Sequence, residues 1–299
     1  MAWLDWPAEL ATGQSHELPR YRHHQSLRFD LHGDPANARL CVFSDGNHHM
    51  ALQDTLHAFS LAHPGVGEIF YTTTPPRIAM DMLRGEGLEI GNFRLRIKPD
   101  IFISPPVILD TLVKEGYMQS YSPFMGCRGL VLLLRRDNPK RIASIHDLLR
   151  PDVRLFLSNP VTEKISNQIY TDSLRRLAVR QGITLDFLTH APGQHDPAKL
   201  VYGEAIHHRE APQAIMDERA DAALVFYHLA LRYQRIFPEY FDFVWPAGSL
   251  GDQALDSNLF SCGLVGNGGE WGQTLFNYMM SDSVTKIYEY HGLQRVNVE

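Results

Sequence analysis

Long apolar runs are missing from this 299-residue chain. No stretch of about eighteen apolar residues occurs, so no segment reads as a membrane-spanning helix and no direct membrane insertion is expected. An excess of basic charge is missing too. Lys plus Arg number 28 against 34 Asp plus Glu, a net charge of −6, which argues against nucleic acid as a partner. Cysteine is scarce: Cys41, Cys127 and Cys262 are widely spaced within apolar stretches, and read as core thiols rather than a disulfide frame or metal knuckle. No repeat or low-complexity tract is present. The start, MAWLDWPAEL, has neither a basic opening nor a long apolar stretch, so it does not read as a signal peptide. The expectation is a cytoplasmic protein, or a periplasmic one whose leader has been removed. No HExxH pair, Walker loop, dinucleotide fingerprint or nucleophile elbow is found, and the common enzyme classes therefore gain no support.

What the chain does have is apolar content, 44%, enough for a large core, and a length that suggests two domains. The stretch LCVFSDGNHHM at 40–50 organises the rest. Leu40 to Phe43 form an apolar run expected of a buried parallel strand. Ser44, Asp45, Gly46 and Asn47 break it with turn chemistry. Leu52, Leu56, Phe59 and Leu61 then recur at helical spacing. Such a strand–turn–helix places its turn at the carboxyl end of a strand, where open α/β sheets bind ligands. The helix start offers free N–H groups to an anion.

The rhythm continues. Strands are expected at 38–44, 68–73 and 100–104, helices at 49–62, 77–83 and 107–116, and a hairpin or loop insertion at 85–98. A longer strand at 130–134 leads to a short helix at 145–149, strands at 154–157 and 184–188, helices at 163–181 and 211–219, and a strand at 222–226. Residues 1–36 read as an N-terminal extension with an edge strand at 26–31. Alternating strands and helices mean an α/β protein with parallel sheets. The simplest organisation is a discontinuous first lobe, 37–125 plus 240–299, into which a second lobe, 126–239, is inserted, with a hinge and a ligand cleft between lobes.

On these segments the chain resembles type II periplasmic solute-binding proteins, closest to the molybdate/tungstate-binding branch. VFSDGNHHMAL is similar to the family's first strand and serine-bearing loop, with Asn47 near the usual serine. FYTTTPPRI at 70–78 is similar to the second ligand loop, here Thr72, Thr73 and Thr74. PDIFISPP at 99–106 is similar to the third strand, ending in Ser104. LVLLLRRDNPKRIASIHDLLRPDVRLFLSNP at 130–160 follows the crossover strand, short helix and next strand. ERADAALVFY at 218–227 is similar to the segment that presents an aromatic, here Phe226 or Tyr227. The resemblance implies a two-lobed type II periplasmic-binding-protein-like fold, each lobe a mostly parallel sheet flanked by helices. It also implies a binder that closes over a small polar ligand, an oxyanion or small carboxylate or phosphate, for an ABC importer permease or for sensing.

The departures from the family pattern choose the ligand. Asp45 puts a negative charge where an oxyanion would sit, and unpaired it would repel one. At 205–212 the sequence AIHHREAP replaces an asparagine-centred turn. The anion reading uses Asp45, Asn47, His48, Thr72, Thr73, Thr74, Ser104 and the guanidinium forks of Arg77 and Arg209, with His207, His208, Phe226 and Tyr227 from the second lobe. Ser166 and Asn167 are further donors there. The alternative reading is a cytoplasmic metal-binding protein or enzyme on the same fold. In it, His48, His49, His207 and His208 hold a transition metal with help from Asp45 and Glu210. Each of these residues, taken alone, also suits a cap, a core or a solvated face.

Overall fold

The computed structural model describes residues 30–296, apart from 86, 91–92, 189–195, 205 and 248–258. The chain opens with β1 (Leu31–His32), β2 (Ala38–Ser44), α1 (His49–Ala62), β3 (Glu68–Thr73) and α2 (Pro76–Arg84). A small hairpin follows, β4 (Leu88–Ile90) and β5 (Phe93–Leu95), and then β6 (Ile101–Ser104), α3 (Pro106–Lys114) and β7 (Tyr121–Cys127). Next come β8 (Leu130–Arg135), β9 (Leu155–Leu157), α4 (Lys164–Arg180), β10 (Leu200–Tyr202), α5 (His207–Met216), β11 (Ala222–Phe226), α6 (Tyr227–Ile236) and β12 (Phe241–Val244). The last elements are β13 (Leu259–Leu264), α7 (Gly272–Met279), α8 (Asp282–Tyr290) and β14 (Leu293–Arg295). Among the described residues the chain divides into two compact units, 30–126 with 259–296, and 127–247.

The first unit is built on a seven-stranded sheet in the order β1-β3-β2-β6-β13-β7-β14. Its centre is parallel: β2 pairs with β3 and β6 in the same direction, as strands joined by helical crossovers must. The returning β13 runs antiparallel to β6, with Ser261 opposite Ser104. Leu40, Val42 and Phe43 are completely buried, which accounts for an apolar run instead of an alternating one. On α1, Met50, Leu52, Leu56 and Phe59 turn inward. Phe43, Phe70, Met82, Phe102, Leu109 and Leu112 make one core cluster with α2 and α3.

The second unit carries a five-stranded sheet, β10-β9-β11-β8-β12. Again three parallel strands, β10, β9 and β11, are extended by antiparallel ones, β8 and β12. Lys199 anchors the approach to β10. Its ammonium donates to the carbonyls of Leu148, Arg150 and Val153 at 2.8, 2.5 and 2.8 Å, and its desolvation lowers its pKa.

Two expectations change. The chain does not return to the first unit near residue 240. Phe241 and Phe243 pair with Arg135 and Leu133 of β8, so β12 completes the second sheet and that unit continues past 240. The expected strand at 184–188 is a single 3-10 turn at Asp186–Leu188, where Leu188 N–H bonds to the Leu185 carbonyl and both leucines are buried. The hairpin insertion within 85–98 is present as β4 and β5. Of the expected edge strand at 26–31, Leu31 pairs with Thr72, and 26–29 lie outside the described residues.

Candidate functional site

Because β3, β2 and β6 are parallel neighbours, their carboxyl ends deliver three turns to one edge of the first sheet. Ser44 and Asp45 close β2, Thr72 to Thr74 close β3, and Ser104 closes β6. All are buried. Asp45 N–H donates to the Ile103 carbonyl at 3.3 Å, which fixes the first turn beside the third. Gly46 permits the close approach of the first turn to the second: a Cβ there would stand 2.9 Å from the Thr73 carbonyl oxygen. The helices that follow, α1, α2 and α3, all begin without a capping side chain. In contrast, Ser281 caps α8. Uncapped helix starts leave N–H groups for other acceptors. At the opposite edge α7 also lacks a cap, so this feature carries weight only together with the buried polar atoms.

Those atoms are specific. Asp45 Oδ1 accepts the Asn47 N–H at 3.0 Å, while Oδ2 has no protein partner. The Ser104 and Ser261 hydroxyls, opposite each other across β6 and β13, also have none. Burial pushes the Asp45 carboxyl up to about 7, against the smaller lowering effect of the Asn47 N–H.

His48 does a different job from the one expected. It is fully buried, tilted against Phe260 with ring centroids 4.3 Å apart. Ser44 Oγ donates to the Asp45 carbonyl at 3.1 Å, so at its 3.0 Å contact with His48 it must accept from Nε2–H. Nδ1 is then bare and accepts from the Tyr288 hydroxyl at 2.8 Å. A directional relay, Tyr288 to His48 to Ser44, thus ties α8 to the β2–α1 turn. His49 Nδ1 lies 3.0 Å from the Gly46 carbonyl and braces the same turn.

The three threonines divide. Thr73 donates its hydroxyl to Asp30 at 3.1 Å and its N–H to the Asp30 carbonyl at 3.1 Å, so it ties the N-terminal strand to the loop. The Thr72 and Thr74 hydroxyls bond to each other. Arg77, at the start of α2, is exposed.

In the second unit, β9, β10 and β11 likewise end at one edge. Ser158, after β9, is fully buried with its hydroxyl unpartnered. Asn159 caps the following turn by accepting from Val161 and Thr162 N–H at 2.8 and 3.2 Å. Asn167 Nδ2 donates to the Ser158 carbonyl at 2.7 Å. Glu163 accepts the His207 N–H at 3.0 Å. Burial raises that carboxyl to about 7, with a further push from Glu210. Glu210 itself accepts the Glu204 N–H at 2.8 Å.

The His207 ring is buried, stacked on Phe156 at 5.2 Å and tilted against Tyr170 at 5.0 Å. Burial holds it down at about 3 and keeps it neutral. His208, half-buried, accepts the Tyr233 hydroxyl at its carbonyl. Burial pushes the Tyr233 phenol up, against the smaller lowering effects of Arg232 and Arg209 nearby. Phe226 is core, and Tyr227 is half-buried in a stack on Trp245 at 5.0 Å, with the Arg128 guanidinium 5.7 Å from its ring centre.

The four-histidine metal reading therefore loses its ligands: His48 has both nitrogens engaged, and His207 is packed between aromatic rings. Among the described residues no group of three or more His, Cys, Asp or Glu could hold a metal ion. Sequence reasoning missed Asp30, Tyr288, Ser158 and Glu163. Ser158 was discoverable as the first polar residue after the apolar strand Leu155–Leu157. Tyr288 was not, since 240 positions separate it from His48.

No curated protein sequence matches the chain. Among solved structures, the periplasmic molybdate-binding protein of Azotobacter vinelandii is 14% identical, with 87% of this chain and 100% of that one covered at a TM-score of 0.57. The sulfate-binding protein SubI of Mycobacterium tuberculosis is 16% identical, covering 86% and 87% at 0.59. The tungstate-binding protein TupA of Desulfovibrio alaskensis is 12% identical, covering 83% and 91% at 0.52. These similarities establish a shared two-sheet α/β fold. The family model described as bacterial extracellular solute-binding protein matches residues 40–294, nearly the whole described chain, and the protein belongs to that family.

Proposed function

We propose that this protein is the solute receptor of an ABC-type importer and that its solute is a small oxyanion. The observation that carries the reading is the set of buried, unpartnered polar atoms, Asp45 Oδ2 and Ser104 Oγ, at the ends of adjacent parallel strands beside uncapped helix starts. A buried hydroxyl or carboxylate oxygen without a partner is costly. A solute that bonds to it recovers that cost on binding. The family and the molybdate-, sulfate- and tungstate-binding structures that share the fold support the same class of solute. In the first unit Asn47, Thr72, Thr74 and Ser104 supply neutral donors. Extracellular or periplasmic placement and a membrane permease partner belong to this reading.

Isothermal titration calorimetry of the whole chain against small oxyanions tests it. One of them binds with a Kd of about 1 μM or tighter, roughly −8 kcal/mol, and Ser104→Ala weakens it about tenfold with little change in melting temperature. Absence of binding by every oxyanion tried overturns the proposal.

A further inference from the structure

The first unit holds a groove that the strand-end site does not use. It is bounded by β7, the turn joining α7 to α8, and the end of β14, with a volume of about 330 Å³, in the lower range of small-molecule sites. Phe124, Met125, Met279, Met280 and Val296 line it, and methionine side chains adapt to the shape of an apolar occupant. Arg295 is the lone charged residue on its wall. The Arg295 guanidinium donates from Nη1 to Asp282 at 2.6 Å and to Thr285 Oγ1 at 3.5 Å, and from Nη2 to the Met280 carbonyl at 3.3 Å. Of the five N–H donors of a guanidinium, two have no partner among the described residues. The Asp282 side chain is 87% exposed, and water screens such a pair to about 1 kcal/mol or less. Thr285 spends its hydroxyl on the Ser281 carbonyl at 3.2 Å. The groove thus combines an apolar wall with one cation that has donors to spare.

The same groove touches the relay. Phe124 sets its ring edge-on against Tyr288 at 5.4 Å and against His48 at 6.5 Å. Thr285 and Tyr288 stand three apart on α8 and share a helix face. An occupant that presses on Phe124 or Thr285 therefore acts on the Tyr288–His48–Ser44 bonds that hold the β2–α1 turn. We propose that this groove is a second ligand site, for an amphipathic monoanion with a carboxylate head and an apolar tail, and that its occupant is coupled to the β2–α1 turn through Phe124. The tail takes the methionine wall, and the carboxylate takes the two remaining Arg295 donors in a charge-assisted contact. Because coupled binding equilibria are reciprocal, whatever binds at the turn alters the groove's affinity by the same factor.

The test titrates octanoate, below its micelle concentration, into the whole chain isotope-labelled at the histidine ring nitrogens, with octanol as the neutral control. Octanoate binds with a Kd below about 1 mM, and octanol binds at least about tenfold more weakly. Arg295→Gln, which removes the charge, and Met280→Trp, which fills the groove, each weaken octanoate about tenfold. The His48 ring-nitrogen resonances shift in step with octanoate binding, since the imidazole's two partners fix its tautomer. Absence of octanoate binding, binding unchanged in either variant, or equal binding of octanol overturns the site. Binding that leaves the His48 resonances unmoved overturns the coupling. The oxyanion reading stands or falls by its own titration, whichever of these results is obtained.

Discussion

Asp45 also sets a pH dependence of stability that is independent of any solute. In the unfolded chain its carboxyl titrates near 3.8, and in the folded protein burial moves it to about 7. The folded state therefore holds the proton more tightly, so stability is highest below pH 4 for this group and falls as the pH rises towards 7. At about 1.4 kcal/mol per tenfold change in acidity, the full cost is on the order of 4 kcal/mol at pH 7 and above. Asp45→Asn keeps the shape and removes the ionisation. Melting curves of both proteins from pH 4.5 to 8, without added anions, should converge at the acidic end and separate as the pH rises. At roughly 2 °C per kcal/mol for a chain of this size, the variant should melt about 8 °C higher at pH 8. Glu163, also raised to about 7 by burial, contributes a slope of the same sign to both proteins and cancels in the difference. Parallel curves for the two proteins across this range would refute the argument, because they would mean that the Asp45 carboxylate is solvated or paired in the folded state.

Tyr288→Phe removes the donor to His48 Nδ1 and leaves a buried acceptor unsatisfied; chemical denaturation should show a loss of about 1–3 kcal/mol, accompanied by weaker oxyanion binding because the relay ends on the β2–α1 turn. Gly269→Ala should destabilise the first unit, since φ is +62° and the new Cβ would stand 2.1 Å from Asp100 Oδ1; a melting temperature equal to wild type would contradict that geometry. Lys199→Met strips three carbonyls of their charged donor and should cost about 2–3 kcal/mol in the second unit by urea denaturation, with anion affinity unchanged. Thr73→Val breaks the bond to Asp30; it should lower stability by about 1–2 kcal/mol and leave anion affinity within about twofold, the reverse of what a solute-binding hydroxyl would give.

The parts of the fold legible in the sequence were those governed by local rules. Leu40 to Phe43, Ile101 to Ser104 and Ala222 to Phe226 announce buried strands because nothing polar interrupts them, and the turns after them announce the edge at which open α/β sheets bind ligands. What was not legible depended on partners far away in the chain. His48 and Thr73 look like ligand groups in isolation. They are structural because Tyr288 and Asp30 reach them, and no spacing rule joins residues 48 and 288. The return to the first unit was placed too early, since Phe241 to Val244 has the composition of a strand for either sheet and only pairing with β8 decides between them. Asp45 is the instructive case. Its type conflicts with an anion site at the level of sequence, and the fold does not remove the conflict by supplying a cation. Burying the carboxylate with one free oxygen raises its proton affinity instead. A local inconsistency that survives folding is where function should be sought.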